Sequence, residues 1–163
     1  MDRVAAIVVG AGSAERMGTD KIFVGLAGKP CITWSLDVLQ GCQAINEIIL
    51  VLHKDKVEAG KKMVAENGLT KVSVICEGGR LRQDSVKKGL EQVQGCQWVL
   101  VQDGARPFLT DKLINDGIEA ARQNVVDENI LFGQFERKRL DQANDSRPQT
   151  ARHHQAENRL LDR

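Results

Sequence analysis

The stretch of this chain best suited to chemistry is Gly10-Ala11-Gly12-Ser13-Ala14-Glu15-Arg16-Met17, with Lys21 four residues further on. It follows directly on the apolar run Val4 to Val9. Small residues let backbone N–H groups approach an anion, and Arg16 and Lys21 add the positive charge that glycine lacks. The pattern is that of a phosphate cradle at the end of a strand.

Two familiar phosphate sites do not match it. Gly10-x-Gly12 supplies half of a dinucleotide-binding fingerprint, but the third glycine position holds Glu15, whose carboxylate would repel a pyrophosphate. That fingerprint also asks for an acidic residue about 20 positions on, at the end of the second strand, and here the second strand ends much later, near Leu52-His53. No Gly-Lys-Ser/Thr stands at P-loop spacing either. What is left is a glycine turn followed by Arg and Lys.

The elements that must position this turn are read from hydrophobic periodicity. Val4 to Val9 is a continuous apolar run, as expected of a strand covered on both faces; Ile48 to Leu52 reads as a second buried strand, Val72 to Cys76 is strand-like, and Trp98 to Val101 reads as the next strand. Between and after them come helical patterns. Pro30 opens one that carries Ile32, Leu36 and Leu39; Lys54 to Asn67 is stopped by Gly68; Val86, Leu90 and Val93 mark a third. Thr110 is placed to cap a fourth, Asp111 to Gln123. This alternation predicts an α/β fold with a mostly parallel sheet and helices on both faces. Ligands of such sheets sit outside the carboxyl ends of the strands. Three loops there combine glycine with charge: the opening turn, Gly78-Gly79-Arg80-Leu81-Arg82, and Gln102-Asp103-Gly104-Ala105-Arg106.

Composition narrows the remaining choices. The 163 residues, 42% of them hydrophobic, suffice for the core of one domain. A formal net charge of +1 gives no global field to draw in nucleic acid or an anionic membrane, so neither partner is expected. With no apolar run of about 18 residues and no signal-like N-terminus, a cytoplasmic location is the expectation. Cys31, Cys42, Cys76 and Cys96 form no Cys-x-x-Cys pair and are expected to be buried thiols; His153-His154 has no third ligand nearby. From Asp141 to Arg159 there is no Val, Ile, Leu, Met, Phe or Trp, so that stretch is expected to be disordered or to depend on a partner chain. The chain thus divides into a nucleotide-binding α/β domain over 1–124 and a divergent polar tail over 125–163.

The glycine turn with Arg16 and Lys21 resembles the signature of the sugar-nucleotide pyrophosphorylase and cytidylyltransferase superfamily. Two further blocks narrow the resemblance: Gly78-Gly79-Arg80-Leu81-Arg82-Gln83-Asp84-Ser85-Val86 with Gly89-Leu90, and Val99 to Phe108. In this order and spacing they resemble the 2-C-methyl-D-erythritol 4-phosphate cytidylyltransferase family over roughly residues 3 to 124. The resemblance implies a Rossmann-like, three-layer nucleotidyltransferase fold, here incomplete at the C-terminus, and transfer of CMP from CTP to a polyol phosphate with release of pyrophosphate. Carried over by position, Gly10, Ala11, Gly12 and Ala14 would line the CTP triphosphate, with Arg16 and Lys21 as the catalytic cations. Gly79, Arg80 and Ser85 would surround the cytidine, Asp103 beside Gly104 would help hold Mg²⁺, and Arg106 would lie near the polyol phosphate.

Departures follow Asn124. The family's Pro-Val-x-Asp-Thr-Ile-Lys-like segment, part of an arm that joins a homodimer, is not found, nor is its late phosphate-binding lysine. The dimer is therefore implied for the family and not carried over to this chain, and Lys138 or Arg139 would have to stand in for the lysine. Without the late strands, one face or edge of the sheet is expected to be uncovered. Two alternatives remain open: a non-catalytic nucleotide-binding remnant, and a sister enzyme acting on another polyol phosphate such as ribitol 5-phosphate.

Overall fold

The run Val4–Gly10 is buried at every position and forms β1, the middle strand of a five-stranded sheet. The computed structural model describes residues 2–11 and 21–123 in full and residues 135–137 as backbone. After β1 come β2 (Gly25–Leu26), β3 (Lys29–Pro30), α1 (Cys31–Gly41) and β4 (Glu47–Leu52). A 3₁₀ turn over Lys54–Lys56 leads into α2 (Val57–Glu66), followed by β5 (Val72–Glu77), α3 (Arg82–Gln92), β6 (Trp98–Asp103), α4 (Asp111–Gln123) and β7 (Phe135–Arg137).

The sheet runs β5-β4-β1-β6-β7. β1 pairs in parallel with β4 on one side, Ile7 opposite Ile49, and with β6 on the other, Ile7 opposite Val101. Because parallel neighbours need crossovers, the helices lie on the faces. Alternate residues of β1 serve the two layers. Val4, Ala6 and Val8 pack with Ile32, Leu36 and Leu39 of α1, Met63 of α2, and Ile114 and Ile118 of α4. Ala5, Ile7 and Val9 face the other way and pack with Val86, Leu90 and Val93, carried on or just after α3. The expected parallel α/β sheet with helices on both faces is therefore what forms.

Local signals act where expected. Thr110 Oγ1 accepts from the Leu113 N–H at 3.1 Å and caps α4. Gly68, with φ +61°, follows α2 in the left-handed conformation that ends helices. Cys31, Cys42 and Cys96 are buried, whereas Cys76, on the sheet-edge strand β5, is only half-buried.

Two features differ from expectation. β2 and β3 form a small antiparallel hairpin whose turn residues Ala27 and Gly28 both have positive φ, 49° and 91°. Such a turn usually advertises itself with Asn-Gly or Asp-Gly, and here it does not. β7, within the span read as a polar tail, pairs antiparallel with Trp98–Leu100 of β6. The edge expected to be uncovered therefore has a neighbour over those three residues. The remainder of the tail, including the stretch 141–159, His153-His154, Lys138 and Arg139, lies outside the described residues.

Candidate active site

β1 is the point where the strand order turns, with β4 on one side and β6 on the other, and in open α/β sheets ligands bind outside the carboxyl ends at such a point. Gly10 and Ala11 end the strand and are buried. Gly12, Ala14 and Arg16 lie outside the described residues. Lys21 is exposed, and the next residue, Ile22, is buried and packs on Gly10 so closely that a β-carbon there would stand 2.8 Å from Ile22 Cδ1. The chain therefore leaves β1 at Ala11 and returns to the same strand end at Lys21.

The second loop is held by its own polar groups. The Gly78 N–H donates to the Leu52 carbonyl at 2.8 Å, which ties the loop to the end of β4. The Gly79 N–H donates to Ser85 Oγ at 3.0 Å, and the buried hydroxyl of Ser85 donates in turn to the Leu81 carbonyl at 3.2 Å. The Asp84 carboxylate accepts from the Leu81 N–H at 3.0 Å, so Asp84 caps α3. Lys88 Nζ donates to the Gly78 carbonyl at 2.9 Å, and Arg80 is exposed.

The third loop is bonded to β1 by the Gly104 N–H, which donates to the Val9 carbonyl at 2.8 Å. Two buried polar side chains converge on the Arg106 carbonyl: Ser35 Oγ at 2.8 Å and Gln102 Nε2 at 3.0 Å. Buried donors must find acceptors, and both are directed at one backbone oxygen of this loop. Asp103 accepts from Arg82 Nε on Oδ1 at 2.9 Å and from Arg106 Nε on Oδ2 at 3.1 Å. Arg82 can reach it because the loop before α3 runs from β5 past Leu52 at the end of β4 to Ala11 at the end of β1, beside β6.

Lys21, Gly79, Gly104 and Arg106 thus stand on loops joined at the ends of β1, β4 and β6, with Asp103 closing β6 and Ser85 in the first turn of α3. Three residues were not singled out by sequence reasoning: Arg82, Ser35 and Gln102. The signal for Gln102 was a lone amide closing the apolar run Trp98 to Val101; Arg82 was one more charge in a charged loop. Among the described residues no group of three or more His, Cys, Asp or Glu side chains is placed to hold a metal. Asp103 has a guanidinium on each carboxylate oxygen. Burial pushes the Cys76 thiol above its ordinary range, with Glu91 acting in the same sense and Lys88 against it; burial and Asp111 raise Cys42.

Parallel strands, helices on both faces and loops of glycine and charge at the turning point define an α/β nucleotide-binding domain of the nucleotidyltransferase type. Within that class the chain belongs to the IspD family, 2-C-methyl-D-erythritol 4-phosphate cytidylyltransferase, whose model matches residues 4–130. It is 45% identical over 122 residues to the 2-C-methyl-D-erythritol 4-phosphate cytidylyltransferase of Dehalococcoides mccartyi strain CBDB1, covering 74% of this chain and 54% of the relative. The enzyme of that name from Clostridium perfringens strain ATCC 13124 is 40% identical over 125 residues, 76% of this chain and 56% of the relative. The crystal structure of 4-diphosphocytidyl-2C-methyl-D-erythritol synthase from Anaerococcus prevotii superposes with a TM-score of 0.65 at 29% identity, over 76% of this chain and 52% of that one. The chain spans about half the length of the curated relatives it matches.

Proposed function

We propose that this site transfers CMP from CTP to 2-C-methyl-D-erythritol 4-phosphate, as a step of non-mevalonate isoprenoid synthesis. The observation that carries the reading is the junction of three glycine-and-charge loops at the end of β1, in a chain whose family bears that activity in its name. A phosphate oxygen of the acceptor attacks the α-phosphorus of CTP, the bond from that phosphorus to the α,β-bridging oxygen breaks, and pyrophosphate leaves with the electron pair. Two anions react, so neutralisation and alignment matter more than a protein nucleophile.

In this reading Gly10, Ala11, Gly12 and Ala14 line the triphosphate, and Arg16 and Lys21 neutralise charge at the α-phosphorus. Gly79, Arg80 and Ser85 surround the cytidine, Gly104 completes the nucleotide side, and Arg106 meets the acceptor's phosphate. Mg²⁺ belongs to the reading as the counter-ion of CTP, supplying charge neutralisation when bound. Among the described residues no three His, Cys, Asp or Glu side chains cluster to cage it, as is usual for an ion held largely by substrate phosphates. A cytoplasmic location completes the reading; the homodimer is the family's and is not carried over to this chain. No helix among the described residues is long and apolar enough to cross a membrane.

The test is pyrophosphate release by the 163-residue chain with CTP, Mg²⁺ and 2-C-methyl-D-erythritol 4-phosphate, run beside ribitol 5-phosphate. Turnover with the first acceptor supports the reading, and turnover with ribitol 5-phosphate alone makes the chain a sister enzyme. CTP binding without product reduces it to a nucleotide-binding module. Sedimentation measures whether the chain pairs.

A further inference from the structure

Asp103 stands opposite Val9 in the register of β6 on β1, at the carboxyl end of the central strand. Two guanidiniums meet there from different loops, Arg82 from the start of α3 and Arg106 from the turn after β6. Each touches the carboxylate through Nε, and a guanidinium carries two further nitrogens with four N–H donors beyond that one. Two cations on one anion leave a local charge of +1, which a second anion would neutralise. A divalent cation would add to it. Asp103 keeps 24% of its side chain exposed, against 56% for Arg82 and 69% for Arg106, so the guanidiniums are the accessible part of the group.

An exposed ion pair by itself contributes little and needs no function. This cluster differs in what lies beneath it. Ser35 and Gln102, both buried, direct their donors at the Arg106 carbonyl, which fixes the backbone that carries one arm. The other arm starts a helix packed on β1 through the layer of Ile7 and Val86. Arginine is suited to this arrangement because its planar fork matches the spacing of phosphate oxygens.

We propose that Arg82 and Arg106, aimed by Asp103, form a two-armed receptor for one phosphoryl group of the substrates, and that Asp103 is their positioning residue and not a ligand of Mg²⁺. The proposal rests on the nucleotidyl-transfer reading above and adds Arg82 to the residues that touch substrate. Phosphoryl groups come from two sources, the triphosphate of CTP and the phosphate monoester of the acceptor.

The full chain is titrated calorimetrically with CTP at several Mg²⁺ concentrations and, separately, with 2-C-methyl-D-erythritol 4-phosphate. Arg82→Ala, an exposed substitution, is expected to weaken binding at least tenfold for one of the two. A loss confined to CTP assigns the group to the nucleotide, and a loss confined to the monoester assigns it to the acceptor. Asp103→Asn is expected to weaken the same ligand while leaving the Mg²⁺ concentration that half-saturates CTP binding unchanged. Arg82→Ala binding every ligand of the wild type with unaltered affinity overturns the receptor. A shift of the Mg²⁺ midpoint in Asp103→Asn overturns the positioning role and returns that residue to the metal. Wild-type protein that binds neither ligand removes both the receptor and the proposed function, whereas wild-type binding with an indifferent Arg82→Ala removes the receptor alone.

Discussion

Gly78 lies so close to Ala11 that a β-carbon on it would stand 2.1 Å from the Ala11 β-carbon and 2.7 Å from Ser85 Oγ. The loop after β5 therefore touches the end of β1 with no room between them. Here the absence of a side chain is a packing requirement, since this glycine is not among those with positive φ. Gly78→Ala must push the two loops apart, at a cost of about 1–3 kcal/mol for an overpacked site. Urea unfolding should show that loss, and calorimetry should show weaker CTP binding. The double variant Gly78→Ala with Ala11→Gly should recover part of the stability, because it clears the contact with Ala11 while the 2.7 Å approach to Ser85 Oγ remains.

Ser85 is a second point of dependence. Its hydroxyl is buried and ties the Gly79 N–H to the first turn of α3. Ser85→Ala leaves that N–H without its acceptor, a loss of about 1–3 kcal/mol if no water replaces it. The measurement is the urea midpoint beside CTP affinity. Stability equal to wild type would mean that water does replace the hydroxyl.

The Cys76 thiol gives the molecule an alkaline limit. Its folded-state pKa is raised, chiefly by burial, so the folded protein holds the proton over a range in which the unfolded chain has begun to release it. The stabilising contribution is complete below the ordinary thiol range of about 8.5 and is lost as pH rises through the higher folded value. Cys42 is shifted in the same direction and adds to the effect. Melting temperature should fall from about pH 8.5 upward, and less steeply in Cys76→Ala. Thiol-directed reagents near pH 7.5 should label native Cys76 more slowly than the urea-unfolded chain.

β1, β4 and β6 were legible because each is built on a short apolar run, β5 because Val72, Val74, Ile75 and Cys76 are strand-like despite the exposed Ser73, and the helices because Ile32, Leu36 and Leu39, or Ile114 and Ile118, repeat at helical spacing. The three loops were legible because glycine and charge together mark a strand end that a ligand can approach. The β2–β3 hairpin was not, because Ala27 occupies a positive-φ position without the residues that favour it. β7 was not, because its existence depends on pairing with Trp98–Leu100, across chain that carries no alternating pattern. The Arg82–Asp103 contact joins residues 21 apart and follows from the path of the loop before α3 across the ends of β4 and β1, which local sequence does not encode.

The Arg106 carbonyl offers a sharper test of how the third loop is held. Two buried donors share it, Ser35 Oγ at 2.8 Å and Gln102 Nε2 at 3.0 Å. Removing one leaves the carbonyl with the other, so Ser35→Ala should cost only about 1 kcal/mol, the net value of one ordinary hydrogen bond. Gln102→Met, which keeps the side chain's length, should cost somewhat more, because Nε2 also donates to the Asp103 carbonyl at 3.2 Å. Removing both leaves a carbonyl with neither side-chain partner, and desolvation then adds about 1–3 kcal/mol that neither single variant shows. The double variant should therefore lose more stability than the two singles added together, a coupling that a double-mutant cycle in urea reads directly. Strict additivity would mean that the loop has moved to water in one of the singles, and that Ser35 and Gln102 do not jointly set the position of Arg106.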